Sequence, residues 1–284
     1  MSTKTAKSTP GSTNGSRPGL DPLRPVTVPD FAGAKARGIR LTMLTAYDFT
    51  MARLVDAAGV DSILVGDSLG MVVQGKPDCL SVTLDEMVYH TRLVTRGTRR
   101  ALVVADLPFM SYQVSPQQAL ESAGRLIKEG GAHAVKLEGG VRSAAAVETI
   151  TAADIPVMGH VGLTPQSVRR LGGFKVQRDA EKLIEDALVI EAAGAFALVV
   201  ECVPTDLAAR VTAAVKVPTI GIGAGPQCDG QILVTPDILG LFDDFRPRFV
   251  KQYADLGQAV RKAVEAYCGE VRDGSFPAAE HGFR

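Results

Sequence analysis

Two hydrophobic rhythms alternate along most of this chain. Short runs that are apolar on both faces lie at residues 41–45, 62–66, 102–105, 134–137, 156–159, 197–200, 218–222 and 231–234. Between them run longer stretches in which apolar residues recur at helical spacing. Met51, Leu54, Val55 and Ala58 follow the i, i+3, i+4, i+7 pattern, and Gly59 supplies a stop. Thr83 and Glu86 form a capping box for a helix reaching Gly97. Ser115, Pro116 and Gln118 combine a cap, a first-turn proline and a box partner for a helix that stops at Gly130-Gly131. Further helices are predicted over 180–193, ending at Gly194, and from Val28 to Gly38. Near-continuous Val/Ile/Leu strands suit a parallel sheet covered on both faces. Their alternation with helices implies βαβ units, and eight of them predict an α/β fold of the (β/α)₈ TIM-barrel type. An open doubly wound sheet is the alternative. No strand-linked G-x-G-x-x-G with a downstream acid supports it.

A repeated unit locates the chemistry. A helix-ending glycine, an apolar strand and then an acid occur in sequence at Gly59 to Asp67, Gly97 to Asp106, Gly131 to Glu138 and Gly194 to Glu201. In a parallel barrel the C-terminal strand ends share one face, so Asp67, Asp106, Glu138 and Glu201 would converge on one mouth. Crowded carboxylates need a proton, a lysine or a metal, and hard oxygen ligands favour Mg²⁺. Lys136, two residues before Glu138, points to the same side of its strand. The competing reading makes each acid a helix N-cap. His160 would also face the mouth, whereas His90 falls within a predicted helix and reads as structural. Gly221-Ile-Gly-Ala-Gly225 and Gly139-Gly140 serve equally as anion-binding turns or as tight packing. Cys202 reads as buried.

Bulk composition narrows the partners. The chain has 284 residues, 46% hydrophobic and 22% charged, with a formal net charge of zero and no basic stripe, which argues against nucleic acid and anionic membranes. No apolar run approaches the roughly 20 residues that span a bilayer. The N-terminus has no apolar signal core. Cys79, Cys202, Cys228 and Cys268 contain no C-x-x-C pair, which disfavours a zinc site or disulfide scaffold and suits a reducing cytoplasm. Residues 1–27 are rich in Ser, Thr, Gly and Pro and read as a disordered tail before a single barrel domain at 28–284.

Several motifs then occur in a familiar order: Thr45-Ala-Tyr-Asp48, Leu64-Val-Gly-Asp-Ser-Leu-Gly-Met71, Ala105-Asp-Leu-Pro-Phe-Met110, Val135-Lys-Leu-Glu-Gly-Gly140, Gly159-His-Val-Gly-Leu-Thr-Pro-Gln-Ser167, Glu201-Cys-Val-Pro204 and the Gly221–Gly225 turn, with Phe276-Pro-x-x-Glu-His281 near the C-terminus. Over residues 30–283 the chain resembles the ketopantoate hydroxymethyltransferase family, whose barrel is similar to those of phosphoenolpyruvate mutase and isocitrate lyase. The resemblance implies transfer of a hydroxymethyl group from 5,10-methylenetetrahydrofolate to 3-methyl-2-oxobutanoate, giving 2-dehydropantoate (ketopantoate) on the route to pantothenate and coenzyme A. It implies Mg²⁺, one per subunit, bound by Asp67 and Asp106, with Glu138 as a further ligand or water-mediated partner. Asp67, Ser68, Asp106 and Lys136 would bind the substrate, Ser68 at its carboxylate, and Glu201 would be the general base. A cytoplasmic homodecamer of two pentameric rings is implied as well.

One departure from the family pattern follows Gly172-Gly-Phe-Lys-Val-Gln177. Arg178-Asp-Ala comes at once, so a loop able to overhang the mouth looks trimmed. Two other functions stay open at this point: a Mg²⁺-dependent C–C lyase or mutase on another 2-oxo acid, and a non-catalytic metabolite-binding barrel. No cysteine motif of the lyase type is visible.

Overall fold

In the computed structural model, which describes residues 19–241 and 247–283, eight parallel strands close on themselves. They are β1 (Leu41–Thr45), β2 (Ser62–Val65), β3 (Leu102–Asp106), β4 (Ala134–Glu138), β5 (Val157–Gly162), β6 (Ala197–Glu201), β7 (Thr219–Ile222) and β8 (Gly230–Leu233). Each pairs with its successor, and β8 returns to β1. The predicted strands are all present.

Strand periodicity divides the core into two layers. Ile63, Val65, Val103, Ala105, Val135, Leu137, Leu198 and Val200 point outward beneath the helices. Their neighbours Met43, Leu64, Leu102, Val104, Ala134, Met158, Ala197, Val199 and Ile220 fill the barrel. The same inward phase continues to Thr45, Asp106, Lys136, Glu138, His160 and Glu201. The interior thus changes from apolar to polar toward the C-terminal strand ends. That change places the chemistry at the mouth while the lower barrel supplies the stability.

The expected capping signals form. The helix Leu84–Gly97 carries the Thr83–Glu86 capping box. Ser115 caps Pro116–Lys128 by accepting from the Gln118 N–H. Gln118 departs from its expected box role: its Oε1 accepts from Val114 N instead.

The N-terminal end of the barrel is plugged. Phe31 and Ala34 are fully buried in the inner cluster, and the Phe31 ring meets Phe196 edge-on at 5.9 Å. Here the predicted helix from Val28 to Gly38 is instead a helix over Val28–Ala32 and a 3-10 turn over Lys35–Arg37. The bend reconciles two demands. Phe31 and Ala34 enter the barrel, while the Lys35 ammonium reaches the Val215 carbonyl at 2.8 Å. The expected tail also divides differently. Residues 1–18 lie outside the described residues, but Leu20 and Val26 are buried in the plug, and Val26 N donates to Arg100 O at 2.8 Å. Two apolar side chains among prolines sufficed to anchor a segment whose composition reads as disordered.

The C-terminal helix Leu256–Asp273, not singled out by the sequence pattern, buries none of its residues. Among the described residues no helix is long and apolar enough to cross a membrane.

Candidate active site

Strand register assembles the mouth. Asp106 pairs with Lys136, Glu138 with His160, and Gly162 with Glu201. Inward side chains on adjacent strands therefore touch. Lys136 Nζ lies 2.8 Å from Asp106 Oδ1 and 3.3 Å from His160 Nδ1. His160 Nε2 lies 3.1 Å from Glu201 Oε2. Asp67, two residues beyond β2, joins from the loop, where its N–H donates to Asp106 Oδ2 at 3.1 Å. Asp67, Asp106, Lys136, Glu138 and His160 are buried, while Glu201 is partly open. All four predicted acids come to one site. None caps the following helix: those caps are Ser68, Ser115, Gly140 and Pro204.

The proton arrangement follows from the contacts. An ammonium only donates, so Lys136 makes His160 Nδ1 an acceptor and leaves the proton on Nε2, facing Glu201. At 3.1 Å that N–H does not lie along the line to the oxygen, so Nε2 makes no aligned hydrogen bond. Burial, then Lys136, holds the imidazole below its usual range and neutral.

Electrostatically the mouth has too much negative charge. Burial raises Asp67 against the pull of Lys136. Asp106 is raised to about 6 by burial, with Asp67 adding to the effect. Glu138 is raised well above the carboxylate range by burial and by Asp67. Burial alone would lower Lys136, but Asp106, Glu138 and Asp67 outweigh it and hold the ammonium charged. One lysine cannot neutralise three buried carboxylates. A divalent cation is the hard partner such a set fits. Asp106 Oδ1 faces the Lys136 ammonium at 2.8 Å and keeps lone-pair capacity for such a cation.

Asp67 and Asp106 were expected to hold the metal, with Glu138 as a further ligand or water-mediated partner. Among the described residues no three His, Cys, Asp or Glu groups are gathered to hold a metal. Gln166 links two of the acids: its backbone N–H donates to Glu138 Oε2 at 3.0 Å, and its Nε2 donates to Asp67 Oδ2 at 2.9 Å. Asp67 and Asp106 are the carboxylates of this group that could hold a cation, with Glu138 beside them. Mg²⁺ commonly completes such sites with water and substrate oxygens.

Ser68 sits beside this group, its Oγ 2.9 Å from Tyr47 Oη. Tyr47, Tyr112 and Gln166 had no role in the sequence reading. Gln166 lay inside a quoted motif, yet nothing in its spacing marked it as inward-facing.

Weaker candidates separate cleanly. His90 Nδ1 contacts the Tyr47 carbonyl at 2.6 Å, a structural role. Both glycine turns serve packing: a Cβ at Gly140 would overlap the Asp186 carboxylate, and one at Gly225 would meet Thr205. Cys202 is only partly buried, contrary to expectation, and adopts a left-handed φ of 48° as the chain turns away from Glu201. Its thiol is pushed up to about 12 by burial, then by Glu201, so it is no activated nucleophile. In the segment after Gly172, Gln177 N donates to Cys202 O at 2.9 Å, which rests this segment beside the base candidate. Phe174 and Val176 stay exposed there.

Comparisons with known proteins agree with the geometry. Residues 25–279 match the family described as ketopantoate hydroxymethyltransferase. A 3-methyl-2-oxobutanoate hydroxymethyltransferase of Moorella thermoacetica is 60% identical, over 91% of this chain and 98% of the relative. One of Pelobacter propionicus is 55% identical over 93% and 99%. Among solved structures, 2,3-dimethylmalate lyase, of the PEP mutase/isocitrate lyase superfamily, superposes with a TM-score of 0.57 at 17% identity, covering 90% of this chain and 91% of that one. Phosphonopyruvate hydrolase in complex with oxalate and Mg²⁺ gives 0.59 at 16%, covering 89% and 93%. These two likenesses concern the barrel alone. Sequence relationship over nearly the whole chain goes further, and this chain belongs to the ketopantoate hydroxymethyltransferase family of transferases.

Proposed function

We propose that the chain transfers a hydroxymethyl unit from 5,10-methylenetetrahydrofolate to 3-methyl-2-oxobutanoate, forming ketopantoate for pantothenate synthesis. Beyond family membership, the observation that carries this reading is the buried Asp67–Asp106–Lys136–His160–Glu201 constellation, in which one carboxylate alone remains partly open. Asp67 and Asp106 would hold Mg²⁺, with Glu138 at its periphery. When bound, the metal would supply Lewis acidity at the substrate's keto oxygen.

The chain's own groups account for the proton chemistry. The C3–H beside a ketone is a weak acid, and Glu201 takes its proton. Lys136 offers positive charge where negative charge then develops on the keto oxygen. Ser68 receives the substrate carboxylate. C3 forms its bond to the folate's methylene carbon, both carbon–nitrogen bonds of that carbon break, and water supplies the hydroxyl oxygen; the C3 proton and one water proton end on the two folate nitrogens. Incubation with 3-methyl-2-oxobutanoate and Mg²⁺ in D₂O tests the first step by loss of the C3 proton resonance. A coupled assay with methylenetetrahydrofolate tests the whole reaction. Persistence of the C3 signal with metal present would favour a metabolite-binding barrel.

The cytoplasm is the proposed location, supported by the four free cysteines. Self-association, as a decamer of two pentameric rings, is proposed from the family resemblance; the exposed Val260, Val264, Tyr267 and Val271 of the C-terminal helix support contact with another copy, not a particular assembly.

A further inference from the structure

Gln166 uses all of its amide capacity in one place. The residue is buried, in the 3-10 turn Pro165–Ser167 that follows β5. Its Nε2 donates to Asp67 Oδ2 at 2.9 Å and to the Leu107 carbonyl at 3.0 Å. Its Oε1 accepts from Tyr112 Oη at 2.7 Å and from Gln113 Nε2 at 3.0 Å. Two donors and two lone pairs are thereby satisfied, and the partners fix which end of the amide is nitrogen. Tyr112 also approaches the Glu138 carbonyl at 3.1 Å, but its single proton suits the shorter contact to Gln166. A cavity of about 320 Å³, lined by Tyr112, Gln113 and Gln166, lies on the other side. Glu138 lines the same cavity, so the Gln166 amide lies between it and Asp67.

We propose that Gln166 is a positioning residue for Asp67. It acts on the cation by fixing which Asp67 oxygen is available, and Tyr112 locks the amide in that orientation. The inference rests on the assignment of Asp67 and Asp106 as metal ligands. Other groups could hold Asp67 in place, but Gln166 Nε2 is its side-chain amide donor in this structure. Loss of such an outer partner typically weakens metal binding about 10–100-fold.

The test is direct binding of Mn²⁺ alone, by electron paramagnetic resonance, to wild type, Gln166→Met, Tyr112→Phe and the double variant. Thermal melts monitor folding. Gln166→Met keeps the shape and loses the hydrogen bonds, and its Mn²⁺ affinity is expected to fall about 10–100-fold. Tyr112→Phe is expected to weaken binding less, and to add nothing once Gln166 is gone. Wild type that binds Mn²⁺ while folded Gln166→Met binds equally well overturns this inference alone. Wild type that binds no Mn²⁺ overturns the two-aspartate reading and the inference with it. If Gln166→Met does not fold, Tyr112→Phe decides: unchanged affinity there removes the orientation lock and overturns the proposal.

Discussion

Lys136 Nζ lies 2.8 Å from Asp106 Oδ1, and the two residues are register partners on adjacent strands of the barrel. The pair is buried, so each charge depends on the other. Removing one partner of a buried pair typically costs about 3–5 kcal/mol. Lys136→Met is therefore expected to destabilise the metal-free protein by about that amount in urea unfolding at neutral pH. The loss should be smaller in mild acid, where a proton on Asp106 replaces the missing cation. An equal loss at both pH values would mean that Asp106 does not carry the charge assigned to it.

A second expectation concerns Glu201, the acid of the group that remains partly open. Glu201→Gln is isosteric and should retain the 2-oxo acid and Mg²⁺. General-base assistance is commonly worth about 10²–10⁴-fold. Exchange of the C3 proton into D₂O should fall within that range. Unimpaired exchange with retained binding would remove Glu201 from the role.

The fold was legible in the sequence because the strands are short apolar runs and several helices, among them Leu84–Gly97 and Pro116–Lys128, carry their own start signals. The four acids were legible because they end strands, and parallel topology sends strand ends to one face. What escaped depends on contacts distant in sequence. Gln166 lies 99 positions from Asp67 and meets it only through closure of the barrel. The burial of Leu20 and Val26 arises from a docking surface at the barrel's base, which local composition does not encode. The hydrogen bond from the Gln166 backbone to Glu138 Oε2 is likewise beyond the reach of spacing.

Acidity gives a third prediction. Burial holds Asp106 up to about 6 against an ordinary 3.8. The metal-free folded state therefore binds this proton more tightly than the unfolded chain. Its contribution is fully present below 3.8 and is lost as pH rises through about 6. The difference corresponds to about 3 kcal/mol, or several degrees in Tm. Asp67 and Glu138 shift in the same direction and extend the effect. Melting curves of metal-free wild type and Asp106→Asn should differ in their pH dependence between mildly acidic and mildly alkaline buffer, with wild type losing more stability than the variant as pH rises. Added Mg²⁺ should stabilise wild type more at the alkaline end, where protons no longer compete. Parallel pH profiles for the two proteins would contradict the burial argument.

The plug and the mouth lie at opposite ends of the barrel, so they should fail independently. Phe31 is fully buried and edge-on to Phe196. Phe31→Ala leaves a large cavity and is expected to cost about 3–5 kcal/mol in urea unfolding. Mn²⁺ affinity of the folded variant should match wild type. A large loss of affinity would show that the lower barrel shapes the site, contrary to the layered interior described above.

The C-terminal helix supplies the last prediction. Val260, Val264, Tyr267 and Val271 are spaced four, three and four residues apart, which lines one face of a helix. All four are exposed, at 54%, 54%, 56% and 46%, a pattern a solvent-facing helix does not favour. Such a stripe buries little against its own barrel, so its apolar area is available to another copy of the chain. Light scattering on wild type should therefore give a mass several times that of one chain. Val260→Asp combined with Val264→Asp places two charges at the centre of the stripe, where desolvation would be required on association. The double variant should shift to smaller species while its barrel keeps the same far-ultraviolet circular dichroism. A wild-type protein that is monomeric at micromolar concentration, or a double variant with unchanged mass, would detach this helix from assembly.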